Sequence, residues 1–221
     1  MADAGDLESM SQGGLLALAG VWAVGLLSPG PDVLLVANRG IAKGLSRALA
    51  AAAGVVAGIE VWILASLAGL DALLREFPHA RAVLSALGGV CLMFLGWQSA
   101  RSAKKPVPEE ASVVEPEDSG WGADFLAGLM TNLGNPKALV FFGALLVRFV
   151  PKEGGLAGQF AVWAVMTAMA CAWFSALAVL LSQRSLRTSL MARMRRVHFV
   201  TGVVFLCLGA LMVGEACAGR A

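Results

Sequence analysis

Two apolar stretches of the chain are interrupted by helix-breaking residues. In each stretch, a charged residue follows the break. Residues 28–32 read SPGPD, and residues 131–137 read TNLGNPK. A proline inside a helix costs about 3 kcal/mol, and backbone groups freed in a bilayer are tolerated only where protein or water satisfies them. The breaks therefore predict a cavity lined by free backbone groups. The alternative is a simple kink that improves packing.

Lys137 falls near the middle of the second interrupted stretch. A lysine at that depth costs about 2.5–3.5 kcal/mol on insertion scales, so we expect it to face the bundle interior with a partner. Asp32 occupies the matching position of the first stretch and is the candidate partner. The alternatives are a static ion pair or a lysine that reaches the headgroups from a shorter span.

Glu60 lies near the centre of another apolar stretch. Desolvation disfavours the charged form of a carboxyl, so Glu60 can take up and release a proton as a coupling site for transport. The alternative is a permanently protonated carboxyl that bonds to a neighbouring helix. In the same stretch, Gly54 and Gly58 form a small-xxx-small face for close helix contact.

The elements that must position these residues follow from composition. Of the 221 residues, 58% are hydrophobic and 14% are charged, whereas an average soluble domain has about 25% charged residues. The apolar runs approach the roughly 20 residues that a helix needs to cross a bilayer. We predict six transmembrane helices, near 13–37, 45–70, 82–100, 122–148, 158–182 and 197–217.

Charge, cysteine content and missing motifs argue against several other classes of protein. The net charge is only +2, and the basic residues lie between apolar runs, which argues against a nucleic-acid partner. The four cysteines are scattered without a CxxC pair, so we expect no metal site. The chain contains no GxSxG, Walker A or HExxH motif, so we predict neither an enzyme nor a bound cofactor.

The two interrupted stretches also indicate an internal repeat. Residues 25–32 and 128–137 both read glycine, leucine, an apolar residue and a hydroxyl, then a breaker and a charge. Because three spans separate the copies, the halves would cross the membrane in opposite directions, as inverted three-helix repeats do. We assign 1–101 to the first repeat, 122–221 to the second, and 102–121 to a solvated acidic linker.

Basic residues predict the orientation. Most of the 17 lysines and arginines fall in the first, third and fifth loops, and cytoplasmic loops collect such residues. This places the linker in the cytoplasm and both termini outside. Arg39 is interpreted as an orientation signal, whereas Asn38 either caps its helix or lines a pathway. The six tryptophans are interpreted as core or interface anchors.

These motifs resemble the two signatures of the LysE/RhtB amino-acid exporters. SPGPD looks like the Pro-Gly-Pro-Asn/Asp signature, and residues 125–138, FLAGLMTNLGNPKA, resemble F-x-x-G-x-x-x-N-x-x-N-P-K-A. The resemblance covers nearly the whole chain and implies a multi-pass inner-membrane exporter of amino acids or related small metabolites. It also implies coupling to the proton gradient and a homodimer. One departure is that Glu60 comes one place later than the acidic residue of many members.

The sequence thus predicts an all-α, polytopic membrane protein with two inverted three-helix repeats. Its predicted function is secondary transport of an amino acid across the lipid bilayer by alternating access, with Glu60 carrying the proton. The second hypothesis is a non-transporting assembly or sensor protein whose buried charges are structural. The predicted pathway residues are Pro29, Gly30, Pro31, Asp32, Asn38, Asn132, Asn135, Pro136 and Lys137.

Overall fold

The structure is a computed structural model that describes residues 12–28, 30–76, 80–102, 120–135, 137–139, 141–142, 144 and 155–218. Every regular element within these ranges is a helix. The helices, in chain order, are α1 (Gln12–Leu27), α2 (Pro31–Lys43), α3 (Leu45–Glu76), α4 (Ala80–Ser102), α5 (Trp121–Leu133), α6 (Gly155–Leu181) and α7 (Arg184–Cys217).

The described helices are those of a multi-pass membrane protein. Four of them are long and apolar enough to cross a bilayer, and a fifth span results if α1 and α2 count as one bent span. The angle between α1 and α2 is 54°. The predicted span near 122–148 lies partly outside the described residues, which contain α5 and a resumed helical segment at 137–139.

Two predicted loops are helical instead. Residues 184–196 belong to α7, which is 34 residues long and extends beyond its candidate span of Arg196–Cys217. This segment contains neither glycine nor proline, so its charges mark the end of the apolar run and not the end of the helix. Likewise, α2 continues to Lys43 and ends only at Gly44, whose φ of 83° favours glycine. Of the predicted linker, residues 103–119 lie outside the described residues.

Glycines allow α3 and α5 to pack with their backbones in contact. A Cβ on Gly54 would collide with the backbone oxygen of Phe125, and a Cβ on Gly128 would collide with that of Ala51. A Cβ on Gly58 would lie 2.6 Å from the side-chain oxygen of Asn132. The predicted small-xxx-small face of α3 is therefore confirmed, and α5 is the helix that it contacts.

The helix pairs also have defined directions. In α4 and α7, Gly89 packs against Gly209 and Gly96 packs against Gly202, so these helices run antiparallel. In contrast, the contacts from Gly54 and Gly58 advance along α5 in the same direction as along α3, so α3 and α5 run parallel. These are the directions that alternate crossings of six predicted spans require.

Candidate functional site

The two helix breaks are formed by local sequence. α1 ends at Leu27 and α2 begins at Pro31, where the missing N–H of a proline is tolerated because the first helical position has no intrahelical acceptor. Asp32 then lies in the first turn of α2, where the helix dipole favours a negative charge. In the other half, α5 ends at Leu133 and helical conformation resumes at Lys137. Pro29 and Pro136 lie outside the described residues.

The Asp32 carboxylate joins one break to the other. Its Oδ2 accepts hydrogen bonds from Asn132 Nδ2 at 3.1 Å and from Asn135 Nδ2 at 3.2 Å. Both asparagines are buried, and Asp32 is half-buried. Within the described part of the chain, the buried Oδ1 of Asp32 has no hydrogen-bond partner. One carboxylate oxygen therefore remains available to a bound group.

The Lys137 ammonium bonds to backbone that the first break frees. Its Nζ donates to the carbonyl oxygen of Ser28 at 3.0 Å, and its backbone N–H donates to Asn135 Oδ1, also at 3.0 Å. The expected direct ion pair with Asp32 does not form, because the Ser28 carbonyl lies past the end of α1 and lacks an intrahelical donor. Asn135 connects the two charged residues instead, since its amide bonds to both.

Two cavities flank the breaks. The smaller one, about 50 Å³, is next to Asp32 and Asn132, and the larger one, about 660 Å³, extends along α4 from Val90 to Ser102. That stretch of helix is about 18 Å long. The larger volume lies in the range of small-molecule sites, whereas the smaller one has room for only a few waters. The residues that line both are Ser28, Gly30, Asn135 and Lys137.

An aromatic cluster packs against the two cavities. Ring centroids of Trp22 lie 5.7 Å from Phe141 and 5.3 Å from Phe142, and Phe141 lies 5.5 Å from Phe205. The Trp22 indole N–H donates to the Met166 carbonyl at 3.0 Å, which holds its ring against α6. All four rings are buried; Trp22, Phe141 and Phe142 line the smaller cavity, and Phe205 lines the larger one.

Glu60 lies between α3 and α6 and outside the lining of these two cavities. Its Oε2 accepts a hydrogen bond from Trp163 Nε1 and its Oε1 accepts one from Thr167 Oγ1, both at 2.6 Å. The neighbouring residue Ile59 lines the small cavity. The sequence alone does not predict these partners, because Trp163 and Thr167 lie more than 100 positions from Glu60 along the chain.

Asp124, which is not among the residues predicted from the sequence, is completely buried at the start of α5. Its Oδ1 lies 2.6 Å from Arg39 Nε of α2, and its Oδ2 pairs with Arg47 Nε of α3. Arg39 is therefore a buried ion-pair partner within α2, and its role as an orientation signal stays a prediction. The sequence does contain a signal for this ion pair, because Asp124 is a lone carboxylate at the start of a predicted span. A carboxylate that becomes buried needs a cationic partner.

The remaining predicted pathway residues lie in two different places. Gly30 lines both cavities and Pro31 lines the larger one. Asn38 is half-buried in α2 and lines neither of these cavities. The two breaks thus bring together a carboxylate, an ammonium group and two amides, from segments about 100 residues apart. Such a cluster can bind a small molecule that carries both charges.

A family model and several relatives match most of the chain. A family model described as LysE type translocator matches residues 23–215. Threonine efflux protein of Salmonella typhimurium is 30% identical over 196 residues, which are 89% of this chain and 95% of that protein. The protein of the same name from Escherichia coli K12 is 28% identical over 198 residues, 90% of this chain and 96% of the other. An uncharacterized membrane protein of Pseudomonas aeruginosa is 30% identical over 191 residues, 86% of each chain. No solved structure matches the chain.

Proposed function

Since the chain belongs to the LysE type translocator family, whose members are transporters and not enzymes, we propose that it exports amino acids or related small metabolites across the inner membrane. The observation that carries the proposal is the meeting of both helix breaks, where Asn132 and Asn135 bind Asp32 and Lys137 binds the Ser28 carbonyl. Relatives named threonine efflux protein make threonine the first substrate to test.

A zwitterionic amino acid matches the two charged groups of the site. Its ammonium would bind the Asp32 oxygen that lacks a partner among the described residues. Its carboxylate would take the Lys137 ammonium from the Ser28 carbonyl. Buried charges gain most when paired and hydrogen-bonded, so the cluster favours substrates with both groups.

Alternating access is supported by the larger cavity, which contacts both breaks, and by the buried rings of Trp22, Phe141 and Phe142, which line only the smaller cavity. The larger cavity runs toward Ser102, the end of α4 that the distribution of basic residues assigns to the cytoplasm. In this conformation, the substrate would reach Lys137 from the cytoplasm while Trp22, Phe141 and Phe142 separate it from the outside. Separation of these rings would release it.

The proposed inverted repeat is supported by the pattern of helix packing. The third spans of the two halves, α4 and α7, pack together, and so do the second spans, α3 and α6. The helix that precedes the break in each half packs on the second span of the other half, as in α1 with α6 and α5 with α3. A two-fold relation between the halves requires these equivalences. The homodimer and the outside location of both termini stay predictions.

Proton coupling through Glu60 is supported by its two partners. The Trp163 indole can only donate, whereas the Thr167 hydroxyl can donate or accept. The ionised carboxylate can therefore accept both hydrogen bonds, and a protonated Oε1 can donate to Thr167 after the hydroxyl rotates. Both protonation states fit the same packing, as a residue that binds and releases a proton requires.

The decisive experiment is efflux of radiolabelled threonine, and of a panel of other amino acids, from vesicles that contain the purified protein. We expect Lys137→Ala to abolish export, because it removes the positive end of the site, while the protein remains folded and inserted. Lys43→Ala, a change at the end of α2, serves as the control and should export normally. Normal efflux by Lys137→Ala would remove that lysine from the mechanism.

The non-transporting alternative makes a different prediction about water. In a background in which the four native cysteines are replaced, Gly30→Cys lies where both cavities meet, and Leu18→Cys lies in the packed core. A transport pathway predicts rapid alkylation at position 30 and slow alkylation at position 18. Equally slow reaction at both positions would favour an assembly or sensor protein with purely structural charges.

A further inference from the structure

The larger cavity has a one-sided charge. Among its described lining residues, Lys137 and His198 are basic and none is acidic. Asp32 lines the smaller cavity instead. Lys137 lines both cavities, so the larger one offers an anionic group basic residues without a competing carboxylate, whereas Asp32 is available to a cationic group in the smaller one.

His198 of α7 lines this cavity together with Lys137. It lies near the start of the candidate span of α7, and its backbone oxygen accepts a hydrogen bond from Ser99 Oγ of α4 at 2.8 Å. Its imidazole Nδ1 is buried and has no hydrogen-bond partner within the described part of the chain. A buried polar atom without a partner destabilises the protein, and such an atom is retained more readily where a ligand supplies the missing bond.

Apolar side chains surround the two basic residues. Val90, Phe94 and Leu95 of α4 and Phe205 of α7 line the same cavity. In such surroundings an anionic group finds few other donors, and its hydrogen bonds to the basic side chains are strengthened by the low local dielectric. Either tautomer of a neutral imidazole carries one N–H donor, so His198 can bind an anion without being charged.

We propose that His198 is a specificity-determining residue that binds the substrate carboxylate together with Lys137. This inference rests on the proposed function and deepens it, because His198 would select molecules with a free carboxylate over their amides or esters. The carboxylate has two oxygens, one for the ammonium of Lys137 and one for the imidazole N–H of His198. The ammonium of the substrate then points toward Asp32 in the smaller cavity.

The test compares threonine with threonine amide, which lacks the carboxylate, in vesicles that contain the purified protein. We expect His198→Leu to raise the KM for threonine about tenfold, with kcat within about twofold of the wild type. His198→Gln keeps an N–H donor and should remain close to the wild type. The wild type should prefer threonine to the amide, and His198→Leu should reduce that preference. Cys217→Ala, at the exposed end of α7 and outside both cavities, is the control and should leave the KM for threonine unchanged.

The outcomes separate this inference from the proposed function. If the wild type exports threonine and His198→Leu has an unchanged KM, the inference is overturned and the proposed function stands. A rise in KM that threonine and its amide share equally also overturns it, because the effect is then not on the carboxylate. If the wild type exports no amino acid of the panel, both fail. Should the leucine variant not insert, His198→Met takes its place.

Discussion

Asn135 connects the two helix breaks through a single side chain. Its Nδ2 donates to Asp32 and its Oδ1 accepts from the Lys137 backbone N–H. An amide is the side chain that offers a donor and an acceptor at this spacing without adding charge. The residue thus sets the geometry of both charged groups.

Asn135→Asp should abolish most export, because it replaces the donor to Asp32 with a second carboxylate. Like charges at that distance repel, and the buried position allows little screening. We expect the initial rate of threonine efflux to fall at least about tenfold, the effect of losing one hydrogen bond to a charged group. Asn38→Asp should leave the rate near the wild-type value, because Asn38 lines neither cavity. A loss at Asn38 instead would restore its predicted pathway role.

Glu60→Gln should separate coupling from substrate movement. Glutamine can accept from Trp163 and donate to Thr167 as the protonated acid can, but it cannot release a proton. We therefore expect exchange of labelled for unlabelled threonine across the vesicle membrane to continue, while transport driven by an imposed pH gradient is lost. Gradient-driven transport by Glu60→Gln at the wild-type rate would contradict the assignment of the proton to this residue.

At the scale of the elements, close packing of α3 on α5 positions the site. α3 abuts Asn132 through Gly58, so the amide that binds Asp32 is held against the neighbouring helix. Asp124 strengthens the same junction by pairing with Arg39 of α2 and Arg47 of α3. Three helices therefore meet around one buried carboxylate, at the end of α5 away from its break.

Gly128→Ala should destabilise the protein, because the new methyl group would meet the backbone of α3, which cannot move aside alone. Overpacking of this kind costs about 1–3 kcal/mol, measurable as a lower midpoint of thermal unfolding in detergent. Gly122→Ala on the same helix is the matched control, since nothing lies within 4 Å of its added carbon, and alanine favours a helix by about 0.5–1 kcal/mol. Equal midpoints for the two variants would show that the helices do not pack this closely.

At the scale of the whole molecule, the cavity and the aromatic cluster give the protein two distinct sides. The larger cavity reaches the end of α4, whereas Trp22, Phe141 and Phe142 line only the smaller cavity, which they share with Lys137. The orientation of the chain thus decides whether this conformation loads or releases substrate.

A cysteine at Ser99 tests that orientation, because Ser99 lines the larger cavity toward the end of α4. In a background without the native cysteines, a membrane-impermeant thiol reagent should label Ser99→Cys from the cytoplasmic side only. Saturating threonine should slow the labelling, since bound substrate occupies the cavity. Labelling from the outside alone would reverse the predicted topology, whereas protection by threonine does not depend on that topology.

The sequence by itself determined the membrane environment, both helix breaks and the two charged residues beside them. These properties are local, because apolar run length sets what crosses a bilayer, and proline or glycine ends a helix wherever it occurs. The basic-residue pattern was less informative, since residues 184–196 continue as part of α7 although they resemble a loop in charge.

Only the tertiary structure decided which groups bind each other. Lys137 binds the Ser28 carbonyl, Asp32 binds two amides, and Asp124 pairs with two arginines. These partners lie 77 to 109 positions apart along the chain, so no local pattern relates them. Their proximity depends on how far the helices approach one another, and that distance is set by packing around glycines on separate helices.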